Sequence, residues 1–367
     1  MSTSVLVNGG RTESFNPSRG LRQGDPLSPY LFILCQEVLS RLIDQQFSLR
    51  NISGVSMHVS GLAITHVMFA NDLMLFARAN RREVGILNEC LETYCLWSGQ
   101  KINREKSGII FSKLVTHEVK RWVKEEMQMK KLPLDAFYLG TPMFPSRNRT
   151  KDYKYLIDRI DSKLMGWRCK ALFWAGRRTL IKSVALALPT YSFSTDDVPI
   201  SVCNKMNSTI RRFWWNPKKD KGNYLAWKSW DSLCHPKDEG GLDFRKSKAF
   251  NQALLAKIAW WVVVNKDSIC VRALRNKYKV DEDWLGSEPR KSTSHLWCAI
   301  EKLRPIIKMG ACFLVGDGLS IDMWKDPWVP WLEGFTPKSL HANDPNTPMR
   351  VSNLFDASNR SWKTNVL

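Results

Sequence analysis

A chain of 367 residues, 44% of them hydrophobic, is long enough for two or three domains with real cores, which excludes disorder along its whole length. Its 55 Lys and Arg outnumber 35 Asp and Glu, and the formal charge of +20 fits a polyanionic partner, either nucleic acid or an anionic membrane face. No run reaches the roughly 18 apolar residues of a membrane span, and residues 1 to 20 lack the basic start and apolar centre of a secretion signal. The expectation is a soluble intracellular protein of the nucleus or cytoplasm.

The charge is unevenly placed. Residues 1 to 112 carry 11 basic and 9 acidic side chains, so +18 of the +20 lies downstream. Trp97 is the one tryptophan before residue 112, and fifteen follow it, which marks a boundary there. The nine cysteines are scattered without a two-residue spacing and read as free thiols. Cys234 beside His235 reads as a packed thiol next to a loop histidine, because no second ligand pair lies nearby.

In chain order, Ser28 and Pro29 read as a helix N-cap and first helical residue. Leu31, Phe32, Leu34, Cys35, Val38, Leu39, Leu42 and Ile43 then recur at helical spacing, predicting a helix to about Gln46. Two apolar runs, Ile64 to Phe69 and Leu73 to Ala77, flank Ala70, Asn71 and Asp72 and predict a tight β-hairpin with a polar tip. His66 in the first strand reads as a packed side chain. A second amphipathic helix carries Ile86, Leu87, Cys90, Leu91 and Tyr94 on one face, with Gly99 near its end.

From Arg147 to Lys182 eleven Lys or Arg accompany three acids, and Tyr155, Leu156, Ile160, Leu164 and Trp167 supply an apolar face, predicting a helix with one basic side. Its cations, Arg159, Lys163, Arg168, Lys170, Arg177, Arg178 and Lys182 among them, suit the phosphates of a nucleic-acid duplex, although a solvated face gives the same pattern. The pairs Trp214–Trp215 and Trp260–Trp261 end apolar helical runs and read as core. Gly316, Asp317 and Gly318 suggest a hairpin turn between Phe313–Val315 and Ile321–Trp324, and residues 330 to 349 read as loop.

Gly20 to Leu34 reads GLRQGDPLSPYLFIL, and Phe69 to Phe76 reads FANDLMLF. Both resemble motifs of the LINE-type, or non-LTR retrotransposon, reverse transcriptases: the first the loop and helix after the family's first catalytic aspartate, the second its FADD box. Ser98 to Ser112 (SGQKINREKSGIIFS) resembles the segment that closes the palm, and Tyr138 to Met143 (YLGTPM) the primer-contacting hairpin. Ala175 to Ser194 resembles the thumb of plant members. The likeness continues through Gly240–Phe244, Asn251–Trp261 and Val315–Trp328.

The resemblance implies an α+β fold: a partial palm of helix, hairpin and helix over 1–112, a connection and thumb over 113–198, and a Trp-rich post-thumb region over 199–367. It implies RNA-directed DNA polymerase chemistry with Mg²⁺, and an RNA/DNA template-primer duplex as partner. Asp72 then falls on a metal position and Lys106 on that of a lysine that protonates pyrophosphate. Gln23, Gly24, Pro26 and Ser28 match the nucleotide and template loop, and Tyr138, Leu139 and Gly140 match the primer contact. Bland readings stand beside these: Gly24 to Pro26 as a plain turn, Asn71–Asp72 as common tip chemistry, and Lys106 as a solvated side chain.

One departure bears on activity. Asn71 stands where the family has the first of two adjacent aspartates, and a neutral amide holds a hard cation far less well than a carboxylate. The family's first catalytic aspartate, its fingers and its RNase H domain are also not matched in this sequence. The leading expectation is an inactive relative that retains some RNA/DNA duplex binding. The alternatives are a polymerase completed by upstream sequence and a basic protein-interaction module.

Overall fold

The computed structural model describes residues 2–16, 20–58, 61–168, 172–217, 222–281, 284–289, 293–337, 349–356 and 361–362. The side chain of Arg168, all of Lys170 and most of the loop expected over 330–349 lie outside the described residues. Contacts divide the chain into two units, Met1–Phe144 with Asp267–Val280, and Pro145–Lys266 with Asp281–Leu367.

The first unit opens with a short hairpin, β1 (Leu6–Val7) and β2 (Gly10–Arg11), followed by helix α1 (Ser28–Ser48). Strands β3 (Val55–Ser56) and β4 (Ala63–Ile64) pair antiparallel, as do β5 (His66–Phe69) and β6 (Asp72–Leu75). Helix α2 (Arg81–Ser98) follows at once. Asn80 caps it, accepting the Glu83 N–H at 2.8 Å, and Gly99 ends it at φ +69°, a left-handed turn that glycine enters without a Cβ penalty. Strand β7 (Gly108–Ile109), α3 (His117–Met127) and β8 (Lys130–Lys131) form a small parallel β–α–β unit, and β9 (Phe137–Tyr138) pairs with β10 (Thr141–Pro142).

The core of this unit is the apolar spacing of three helices brought together. Leu39 and Ile43 of α1, Val84, Leu87, Leu91 and Tyr94 of α2, and Val123 and Met127 of α3 are buried with Ile52. Met68, Leu73 and Leu75 of the hairpin lean on them. Glu83 is 5% exposed and accepts from the Ser53 N–H and hydroxyl, the Arg78 N–H and the Asn80 amide. Burial alone would raise its carboxyl, but those bonds outweigh burial and hold it below the usual range. Arg104 bridges the Glu92 carboxylate and the Met127 carbonyl, tying α2 to the end of α3.

The second unit is helical: α4 (Arg149–Asp152), α5 (Lys154–Arg168), α6 (Trp174–Leu180), α7 (Thr190–Thr195), α8 (Ile200–Trp215), α9 (Trp230–Cys234) and α10 (Ser247–Val263). Helix α6 continues without a break into a π-helical turn, Ile181–Ala185. After α11 (Ile269–Tyr278), which belongs to the first unit, come α12 (His295–Lys302), α13 (Arg304–Gly310) and the pair β11 (Phe355–Asp356) and β12 (Ser361–Trp362). One core joins Leu156, Ile160 and Leu164 of α5 to Ile181, Phe193, Met206, Phe213 and Phe244. Where composition suggests a break at 112 and the resemblance another at 198, the contacts break at 144, and residues on both sides of 198 share one core. No helix of the described residues is long and apolar enough to cross a membrane.

Three local expectations are corrected. Ser28 is already helical and Leu27 is the cap residue, because the Ser28 hydroxyl donates instead to the Arg22 carbonyl at 2.7 Å. The single basic helix over 147–182 is divided among α4, α5, α6 and the π turn, and Tyr153 between α4 and α5 turns into the core at 4% exposure. Residues 313–324 do not pair as a hairpin: the Asp317 carboxylate accepts the Leu319 N–H, and the Gly318 carbonyl accepts the Ser352 N–H. Gly318, at φ +68°, has no room for a Cβ, which would lie 2.6 Å from that same nitrogen.

Candidate functional site

The β5–β6 register pairs Phe69 with Asp72 and His66 with Leu75, so the tip is the two residues Ala70 and Asn71. Asp72, expected in the tip, is the first residue of β6. Strand alternation sets its face: Met68, Leu73 and Leu75 turn toward the helices, whereas Val67, Phe69, Asp72 and Met74 share the opposite side. Asn71 and Asp72 are both exposed. Ala70 adopts φ +48°, which costs a non-glycine residue on the order of 1 kcal/mol and marks a conformation that the hairpin imposes.

His66 fastens this hairpin to α1. Its Nε2 lies 2.8 Å from the Ser40 hydroxyl and its Nδ1 2.9 Å from the Thr65 hydroxyl, so the histidine is packed, as the sequence suggests. Burial pushes the imidazole below its ordinary value, against the opposing fields of Asp44 and Glu37. A histidine with a lowered folded value resists protonation in the native state, so stability is present above the unfolded value near 6.5 and is lost as pH falls below it. The melting temperature is expected to fall between pH 7.5 and 5.5, and His66→Gln should flatten that slope; an unchanged slope in the variant would remove His66 as its source.

A two-metal polymerase site needs several hard carboxylate oxygens converging within a few ångströms. Among the described residues no group of three or more His, Cys, Asp or Glu could hold a metal ion. Asp72 offers one carboxylate beside the tip and Asn71 a neutral amide, so the described residues do not fit a Mg²⁺ pair.

The loop before α1 is stiffened by its own hydrogen bonds. The Asp25 carboxylate accepts the Leu27 N–H at 2.9 Å, and the Asp25 carbonyl accepts the Ser28 N–H at 3.2 Å. Gly24 sits at φ +84°, and Gln23, Gly24 and Pro26 are exposed. Lys106 lies in an exposed turn in which its N–H donates to the Asn103 side chain at 3.1 Å. Within the described residues no hydrogen bond or ion pair links Gln23 or Lys106 to Asp72. The segment expected to contact a primer folds as the β9–β10 hairpin: Leu139 and Gly140 are its two turn residues at φ +50° and +79°, both positive as in a type I′ turn, with the Thr141 hydroxyl donating to the Tyr138 carbonyl at 3.0 Å.

In the second unit the expected phosphate-facing cations separate into two groups. Arg159 and Lys163 are exposed on α5 and line a shallow depression of about 310 Å³ with Tyr155, Asp158 and Ser162. Arg177, Arg178 and Lys182 are instead engaged with the protein. Arg177 donates to the Leu172 and Trp214 carbonyls at 3.1 and 3.0 Å and stacks 4.6 Å from the Trp174 ring. Arg178 donates to the Leu242 carbonyl, and Lys182 pairs with Asp243 at 3.0 Å.

Sequence reasoning missed the residue that organises this region. Asn251 is fully buried: its amide donates to the Phe193 and Asp196 carbonyls, each at 2.8 Å, and its oxygen accepts the Val198 N–H at 3.0 Å. Asp196 in turn holds Arg149 at 2.8 Å and the Tyr153 hydroxyl at 2.6 Å, where α5 begins. The available signal was one amide at helical spacing with Leu255, Ala259 and Val262. Of the paired tryptophans, Trp214 is buried in a cluster with Trp174 and Trp215, whereas Trp260, expected in the core, is 40% exposed. Cys234 packs beside the core, burial pushing its thiol up to about 11, and His235 pairs with Glu239 at 2.9 Å.

A helix, an antiparallel hairpin with Asp72 beside its tip and a second helix, with further helices downstream, make an α+β fold consistent with a partial polymerase palm. A family model described as reverse transcriptase (RNA-dependent DNA polymerase) matches residues 2–156. An uncharacterized mitochondrial protein of Arabidopsis thaliana is 32% identical over 145 residues, which cover 39% of this chain and 94% of that protein. The retrovirus-related Pol polyprotein from a type-2 retrotransposable element of Drosophila melanogaster is 33% identical over 155 residues, 42% of this chain and 13% of the polyprotein. A protein of Arabidopsis thaliana named for ribonuclease H is 35% identical over 193 residues, 51% of this chain and 31% of its own length. The chain belongs to the LINE-type reverse transcriptases, those of non-LTR retrotransposons.

Proposed function

We propose that this chain is a reverse-transcriptase homologue that does not carry out nucleotidyl transfer by itself and binds an RNA/DNA duplex through the exposed cations of α5. The observation that carries the first part is the hairpin tip, where Asn71 takes the position of an expected aspartate and Asp72 points its strand face away from the core. A solitary carboxylate leaves the charge of two Mg²⁺ ions largely uncompensated. Arg159 and Lys163 support the second part. They stand one helical turn apart on an exposed face, suited to phosphates along one strand.

Both parts are tested on the intact chain with a labelled RNA/DNA hybrid. The double variant Arg159→Ala, Lys163→Ala should lower the slope of log affinity against log salt by roughly 1 for each lost phosphate contact. Affinity should fall for every hybrid sequence alike. An unchanged slope would sink the duplex reading, and templated Mg²⁺-dependent extension by the chain alone, abolished by Asp72→Ala, would sink the inactive one.

A second reading, a polymerase completed by another polypeptide, is favoured by the surface of α1. Leu27, Tyr30, Leu31, Leu34 and Val38 share one face of the helix and its cap and are 39–67% exposed. The neighbouring β5–β6 sheet has two strands, which is marginal for a sheet standing alone. A segment that adds a strand and an aspartate would cover that apolar face and supply the charge the tip lacks.

A further inference from the structure

The segment from Arg211 to Lys228 carries Lys or Arg six times against Asp220 alone, with aromatic residues interleaved. Its described part is organised around Tyr224. The Arg211 Nε donates to the Tyr224 hydroxyl at 3.1 Å, and the Arg212 guanidinium stacks 5.0 Å from the ring centre. Arg212 also donates to the Gly222 carbonyl at 2.8 Å, so the base of the loop is held to the end of α8 from both sides. A guanidinium has five donors, so these contacts leave each arginine with N–H groups to spare.

Three residues beyond Tyr224 the loop turns outward. Trp227 is 80% exposed and Leu225 is 75% exposed, beside exposed Lys228. An indole left in water forfeits the burial that makes tryptophan a core residue, and here it stands on a loop whose root is ordered. A flat aromatic face on a loop whose root holds two arginines, followed at once by Lys228 and with one acid in the segment, matches the two demands of single-stranded nucleic acid: a surface on which a base stacks, and positive charge for its phosphates. A protein partner would draw on the same apolar face but gives no reason for the excess of cations.

We infer that the Tyr224–Trp227 loop is a stacking contact for single-stranded RNA or DNA, separate from the duplex-facing residues of α5. Trp227 stacks on an unpaired base, and Arg211, Arg212 and Lys228 neutralise the flanking phosphates. The contact is indifferent to sequence, because every base offers a π face.

The test measures fluorescence anisotropy of the full chain with labelled oligo(dT) and oligo(rU), and in parallel with an RNA/DNA hybrid. Trp227→Ala should weaken both single strands roughly tenfold and leave the hybrid unaffected, while Trp227→Phe restores most of the loss. The Arg159→Ala, Lys163→Ala variant should show the reverse profile, so failure of one reading is distinguishable from failure of the other. The side chain is exposed enough that the alanine variant should melt with the wild type, which a thermal scan confirms. Unchanged single-strand affinity in Trp227→Ala, or phenylalanine no better than alanine, would overturn the inference and leave the loop as a protein-docking surface.

Discussion

Replacing Asn251 with alanine is expected to destabilise the second unit by about 3–5 kcal/mol, because each buried group left without a partner costs roughly 1–3 kcal/mol. Three such groups are exposed to that loss: the Phe193 and Asp196 carbonyls and the Val198 N–H. Asn251 is at 0% exposure, so little water reaches them in compensation. The damage should also reach function. The turn that Asn251 holds carries Asp196, which anchors Arg149 and Tyr153 at the start of α5, and α5 presents Arg159 and Lys163. Urea unfolding followed by circular dichroism measures the stability change, and duplex affinity under native conditions should fall with the folded fraction. A loss under about 1 kcal/mol would show that the turn holds without the amide.

Asn71→Asp is expected to change activity more than any other substitution at the hairpin, but only when an upstream polypeptide supplies the remaining carboxylate. Altering a group that merely orients a metal ligand costs about 10–100-fold, so restoring a direct ligand should raise Mg²⁺-dependent primer extension by at least about 100-fold. The reason is charge. An amide presents one neutral oxygen, whereas a carboxylate offsets part of the +2 of each ion and keeps two oxygens on it. The geometry already suits the change, since Asn71 is exposed at the turn and a carboxylate there buries no new charge. Steady-state extension on a primed RNA template, compared for wild type, Asn71→Asp and Asn71→Asp with Asp72→Ala, separates the cases. Equal rates for wild type and Asn71→Asp in the completed enzyme would mean that residue 71 does not carry metal.

Local pattern made much of the first unit legible. The apolar spacing of α2, its Gly99 end and the hairpin around Ala70 follow from interactions within a few residues. Helix α1 was legible as a helix but not in its burial: Leu31, Leu34 and Val38 continue the apolar series, yet Leu39 and Ile43 are its buried residues. Periodicity reports which side is apolar and is silent on what covers it. For the same reason Asp72 could be placed at the hairpin, whereas the face it takes depends on the strand register.

The basic segment shows the division most clearly. Its excess of cations was plain from composition. Only the folded chain separated Arg159 and Lys163, which face outward, from Arg177, Arg178 and Lys182, whose partners Trp214, Leu242 and Asp243 lie far along the chain. By itself, then, the sequence determined the family and the α+β class, because these reside in residue identity and short-range spacing. Tertiary structure decided which cations are available, which amide is buried and which tryptophans stand in solvent, because each depends on partners that only long-range packing brings within hydrogen-bonding or van der Waals reach.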